Sequence, residues 1–233
     1  MRVYGNTLPE DSMHITLKGD GTWNAFPCLF KETTSVTEAL SDYYTYATPG
    51  DMLKSHDHFA VFSQNKRWEG DLTAVRPGEG YMFRRLGSGS VDVRFFNKTS
   101  AAAPSAHRSP LTAHRYATNM TMIAMVEGLP VTGYGLRAYI GDELVGVATK
   151  IDSLYFLTIS SDAAGTLRFE TDNGERLMVV GESISYVADS HHGSLRAPII
   201  LRPTDDRPYK IIENNHVIII RNNEKYDITG KKL

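Results

Sequence analysis

Cysteine is nearly missing from this sequence: Cys28 is the single thiol in 233 residues. No intramolecular disulfide can form, so the core must be held by packing. Cys28 sits in the apolar stretch Phe26-Pro-Cys-Leu-Phe30 and reads as a small buried residue, not a reactive thiol. An excess of either charge is missing as well. The 25 basic and 27 acidic residues leave a formal charge of −2, which offers no electrostatic footprint to nucleic acid or an anionic membrane. No apolar run reaches the length of a bilayer span, and none follows Arg2 to make a signal peptide. Phosphate loops are lacking too. Gly78-x-Gly80, Gly87-x-Gly89 and Gly133-x-Gly135 stop short of Gly-x-Gly-x-x-Gly before a helix, and they read as turns. No Gly-x-Ser-x-Gly elbow occurs.

What fills the chain is short alternation. Met13–Leu17, Phe59–Phe62, Gly80–Phe83 and Val91–Phe95 have strand character, with Gly and Pro turns between them. One segment differs. Ser35 with Glu38 three residues on is a capping box, and Val36, Ala39, Leu40 and Tyr43 follow at helical spacing, which predicts a helix of two to three turns. Residues 98–111 are small, polar and proline-marked, as a linker would be. Beyond it, Met120–Val126, Leu136–Ile140, Leu144–Ala148, Tyr155–Ile159, Leu167–Phe169, Arg176–Val180 and Ser183–Val187 give about seven short strands, the spacing of a β-sandwich. In the tail, Asn214-Asn215 and Asn222-Asn223 mark two tight turns around His216–Arg221. That Ile-rich strand must be covered on both faces, or it would be an aggregation-prone edge.

Five blocks occur in order in the first part: Gly21-Thr-Trp-Asn24, Gly50-Asp-Met-Leu-Lys-Ser55, Phe59-Ala-Val-Phe62, Trp68-Glu-Gly-Asp-Leu72 and Pro77-Gly-Glu-Gly-Tyr-Met82. Together they resemble a repeat of Bacteroidetes surface proteins. Asn119–Ala124, Arg137–Glu143, Gly146–Ala148 and Tyr155–Thr158 are similar to the Ig-like module that often follows that repeat, with Leu144-Val145 where that module often has Cys-Arg. The tail from Lys210 resembles, in shortened form, a type IX secretion sorting domain. The resemblance implies a fold that is mostly β: a small α+β module with one helix over 1–97, a linker over 98–111, an Ig-like β-sandwich over 112–203 and a β tail over 204–233. It implies no catalytic activity and no cofactor. It places the chain at the extracellular or outer-membrane surface, as a fragment lacking its export signal. The expected partners are other domains of a longer surface protein, and a glycan or a cell-surface protein.

The remaining polar clusters carry little convergent chemistry. His56-Asp-His58, if extended, would put two imidazoles on one face for a metal, but no third ligand is near in sequence. Asp51 would serve only if its turn folded back. Asp189-Ser-His-His192 sets nucleophile and base types side by side, whereas a triad needs separate elements, so these read as loop residues. Asp142-Glu143 and Asp205-Asp206 lack the oxygen ladder of a calcium loop. Trp23, Trp68 and Tyr81 are candidates for a sugar-stacking platform, although burial of large aromatics in a small core is the better expectation. Tyr43, Tyr44 and Tyr46 crowd the helix end, and Tyr44 joins the ligand candidates as part of an outward aromatic patch. The sequence thus predicts a non-catalytic module for adhesion, ligand presentation or spacing, with a carbohydrate-binding accessory module as the alternative.

Overall fold

A computed structural model describes residues 14–30, 32–94, 116–129, 134–204, 209–213, 216–221 and 224–233. The expected linker, the two Asn-Asn pairs, Met13, Phe95, Gly133 and Asp205-Asp206 lie outside the described residues. The chain is mostly β. Its first part runs β1 (His14–Lys18), β2 (Thr22–Pro27), β3 (Thr34–Ser35), α1 (Val36–Ala39), a 3-10 turn (Asp42–Thr45), β4 (Met52–Lys54), β5 (Phe59–Phe62), β6 (Trp68–Gly70), β7 (Ala74–Val75), β8 (Gly80–Arg85) and β9 (Ser90–Arg94). The second part continues with β10 (Asn119–Val126), β11 (Leu136–Ile140), β12 (Glu143–Val147), β13 (Thr149–Ile151), β14 (Leu154–Ser160), β15 (Leu167–Thr171), β16 (Arg176–Val179), β17 (His191–His192) and β18 (Ile199–Pro203). The tail holds β19 (Tyr209–Glu213), β20 (His216–Arg221) and β21 (Glu224–Tyr226).

Ser35 caps α1 as expected, its hydroxyl accepting the Glu38 N–H at 3.2 Å. The helix is one turn long, not two to three. Ser41 N–H already bonds back to Glu38 O, three residues away, and tightens the chain into the 3-10 turn. Two weak helix formers, Val36 and Thr37, open the segment. Tyr43 is then drawn fully inside, its hydroxyl donating to Asp51 Oδ2 at 2.5 Å.

The first sheet is antiparallel, in the order β2–β8–β4–β5–β6. Its two long strands β2 and β8 alternate, as strands with one covered face do. Phe26, Tyr81, Phe83, Leu53 and Ala60 face a core shared with Val36, Ala39, Leu40 and Tyr43. The central strands β4 and β5 are buried at every position. Their second face carries Met52, Phe59 and Val61, and it is covered by the other half of the chain.

The second unit differs from the two stacked sheets that the strand spacing predicts. Its hydrogen bonds run as one nine-stranded sheet, β13–β14–β12–β11–β15–β16–β18–β10–β17, with β14 also paired to β10, so the strand order returns on itself. The cause is the eight-residue length of β10. One edge of it pairs antiparallel with β14, from Asn119↔Ser160 to Ala124↔Tyr155. The other edge pairs in parallel with β17 at Thr121–Met122 and with β18 at Ala124–Val126. The circuit encloses Met120, Met122, Leu136, Val145, Leu157, Ile159, Phe169 and Leu201. Ser183–Val187 is not a strand. It makes a single bridge, Thr166↔Ser185, yet buries Ile184 and Tyr186 at the spacing the sequence indicates.

The tail is a separate antiparallel sheet, β19–β20–β21, with β20 central as expected. Ile218 is buried, Ile219 is half-buried and Val217 is 41% exposed.

Candidate functional site at the joint of the two sheets

β4 and β10 present side chains to opposite faces in turn. On β10, Met120, Met122 and Ala124 point into the closed circuit, while Ile123 points out. On β14, Tyr155, Leu157 and Ile159 point in and Phe156 points out. Ile123 and Phe156 meet Met52, Phe59 and Val61 from the first sheet, with Trp23, Leu154 and Leu195 at the margin. The Phe59 and Phe156 rings lie 5.6 Å apart. This apolar cluster joins the two units.

Beside it lies a buried lysine. Lys54 is 3% exposed, and an ammonium is rarely so deep without partners. Its Nζ donates to Asn119 Oδ1 at 2.8 Å and to Asp189 Oδ1 at 2.6 Å, and it sits 4.5 Å from the centre of the Trp23 ring. Asn119 answers by donating its Nδ2 to the carbonyls of Ser55 (3.3 Å) and His56 (3.0 Å). Asp189 is held in place by its own N–H to Asn119 O at 2.9 Å and adopts φ +60°. Its side chain is 58% exposed, so the ion pair has one wet partner and is screened. The amide–ammonium bond on the buried side carries more of the specificity.

The histidine pairs fall at this joint. His56 and His58 do not share a strand. They occupy the turn between β4 and β5, closed by Ser55, whose hydroxyl accepts the N–H of Asp57 and of His58 and donates to His58 O. His56 Nδ1 faces Asp57 Oδ1 at 2.9 Å and Nε2 faces Tyr116 O at 2.9 Å. Both neighbours are acceptors, so both nitrogens are satisfied only in the imidazolium. Burial lowers the pKa of His56, but the Asp57 hydrogen bond, the Tyr116 carbonyl and the Asp57 charge together raise it above its usual value. His58 Nδ1 bonds Asp71 Oδ2 at 2.9 Å, and Asp71 Oδ1 accepts the Phe59 N–H. No three His, Cys, Asp or Glu side chains converge among the described residues. Asp51 is fully buried and committed to Tyr43, Thr48 N–H and Leu86 N–H.

Asp189-Ser-His-His192 is only half loop. His191 and His192 form β17 against β10. His191 Nδ1 lies 2.9 Å from Thr121 Oγ1, with the ring edge-on to Phe59 at 6.0 Å. Burial, with the Arg84 and His192 charges nearby, lowers its pKa to about 4.

The aromatic candidates do not share one surface. Trp23 flanks the joint. Trp68 packs between Phe62 (5.2 Å) and Phe83 (5.9 Å), with its indole nitrogen buried. Tyr81 is in the helix-side core; its hydroxyl accepts the Arg76 N–H and donates to Glu79 Oε2, closing the Pro77-Gly78 turn. Burial and Glu79 push its pKa up. Tyr44 is half-buried, edge-on to Phe62, with its hydroxyl on Lys66 O. Cys28 is half-buried against the first core, and burial raises its pKa.

Lys54, Asn119, Asp189 and His191 as a group escape sequence reading, because they come from segments far apart. One signal existed: Lys54 ends the otherwise apolar strand Met52–Lys54. No family model matches the chain, and no curated protein or solved structure matches it either.

Proposed function

We propose that this chain is a rigid, non-catalytic spacer and presentation unit of a bacterial cell-surface or secreted protein, near its anchoring end. The observation that carries the reading is the joint. Met52, Phe59, Val61, Ile123 and Phe156 form one apolar cluster drawn from both units, and Lys54 is bonded across it. Each large apolar side chain so buried contributes about 1.5–3 kcal/mol. Domains free to swing are the default when interfaces are small and polar; this one is apolar at its centre.

Supporting the reading, the residues of the recurring blocks have structural work. Asn24 bonds Lys18 N–H and donates to the carbonyls of Lys18, Thr22 and Phe83, closing the β1–β2 turn. Asp51 locks the 3-10 turn, Trp68 packs against the core and Tyr81 closes a turn. The resemblance to Bacteroidetes surface proteins supports the location, and the tail is assigned to export or anchoring on the same ground.

The test has two arms. Small-angle scattering of the full chain is expected to give the profile of one rigid body, and antibody labelling of intact producing cells is expected to find it outside. A profile requiring freely rotating units, or a strictly internal location, sinks the corresponding half of the proposal.

A further inference from the structure

Away from the joint, the 3-10 turn and β9 wall a cleft of about 440 Å³, lined by Asp42, Tyr46, Ser90, Val91, Asp92 and Arg94. Its size lies within the range of small-molecule sites, roughly 300–1,000 Å³. The walls are fixed. Asp42 Oδ2 accepts the Arg94 backbone N–H at 3.0 Å, tying the turn to the strand, and Asp92 Oδ1 accepts the Thr16 hydroxyl at 2.6 Å, tying the strand to β1. A carboxylate has about four acceptor positions, so each keeps capacity toward the cleft. The Arg94 guanidinium brings up to about five donors. Tyr46 is 47% exposed at the rim, which leaves an amphipathic ring available to stack a ligand.

The mixed lining selects the ligand chemistry. A small anion meets two carboxylates. A bare cation meets a guanidinium and lacks a third carboxylate. A neutral ligand rich in hydroxyls suits both, because every hydroxyl donates and accepts. It can give protons to Asp42 and Asp92, take bonds from Arg94, and lay an apolar ring face on Tyr46. We propose that this cleft binds a neutral sugar residue, with Tyr46 as the stacking platform and Asp42, Asp92 and Arg94 as its hydrogen-bonding partners. The site is distinct from the Trp23, Trp68 and Tyr81 set, and it does not depend on the rigidity of the joint.

The full chain is screened on an array of neutral mono- and oligosaccharides, and hits are titrated by calorimetry. A neutral glycan is expected to bind, and Tyr46→Ala is expected to weaken it at least tenfold with no change in melting temperature. Arg94→Met, read the same way, guards against a misfolded first variant. Three outcomes overturn the proposal: no neutral glycan is bound; binding is unchanged in both variants; or binding vanishes with a metal chelator, which would make the cleft a cation site.

Discussion

Protonating His191 places a charge between two sheets, against Phe59 and with Arg84 and His192 near. The folded protein therefore favours the neutral ring, with a pKa of about 4 in place of the ordinary 6.5. The sign follows from proton counting. Between those values the unfolded chain binds more protons, so this contribution is full above pH 6.5 and lost as pH falls toward 4. It is on the order of 3 kcal/mol. His56 acts the opposite way: its pKa is raised, so its contribution is present below pH 6.5 and lost as pH rises through the elevated value. Urea unfolding of wild type and His191→Asn, compared from pH 7 to 4.5, is expected to show a shallower acid loss in the variant. Parallel curves would mean that the folded protein does not disfavour the protonated ring. The sequence displayed the His191-His192 pair but not its surroundings: both rings are half-buried, and His191 meets Phe59 of the other unit.

At the level of elements, backbone proximity decides which glycines matter. Gly70 ends β6 with φ +146°, and a Cβ there would lie 2.3 Å from Phe59 O and 2.9 Å from Ala60 Cα. Gly70→Ala is expected to cost about 1–3 kcal/mol through strain and a weakened β5–β6 pairing. Gly80 opens β8 with nothing near and no positive φ, so Gly80→Ala is expected to be neutral or to stabilise by about 0.4–1 kcal/mol. Chemical denaturation of both variants checks the contrast, and equal effects would refute it. Sequence pattern found β5, β11 and β14 almost to the residue because their apolar runs are long enough to be read. It left β2, β3, β4, β6, β7, β13, β17 and β18 unmarked and overextended α1. Short strands such as His191–His192 exist only because a neighbour offers hydrogen bonds, and α1 ends where Tyr43 is pulled into the core.

For the molecule as a whole, the apolar joint between the two cores is expected to make them unfold as one unit. Phe156→Ala removes the ring that faces Phe59 and is expected to cost about 3–5 kcal/mol. Calorimetry should then resolve two transitions where wild type shows one; a single transition in both proteins would mean that each unit already unfolds with the other through different contacts. The sequence by itself determined the β-rich class, the alternation that sets Met120 with Met122 and Tyr81 with Phe83 on one face, the Ser35 cap and the tail turns' neighbouring strands. These depend on neighbours within a few residues, where side-chain period and capping are local physics. The closed circuit through β10, the burial of Lys54 between Asn119 and Asp189, the separation of Trp23 from Trp68 and the Tyr46 cleft were decided only in three dimensions. Each brings together segments dozens of residues apart, and a period of two says which residues share a face but never what that face will meet.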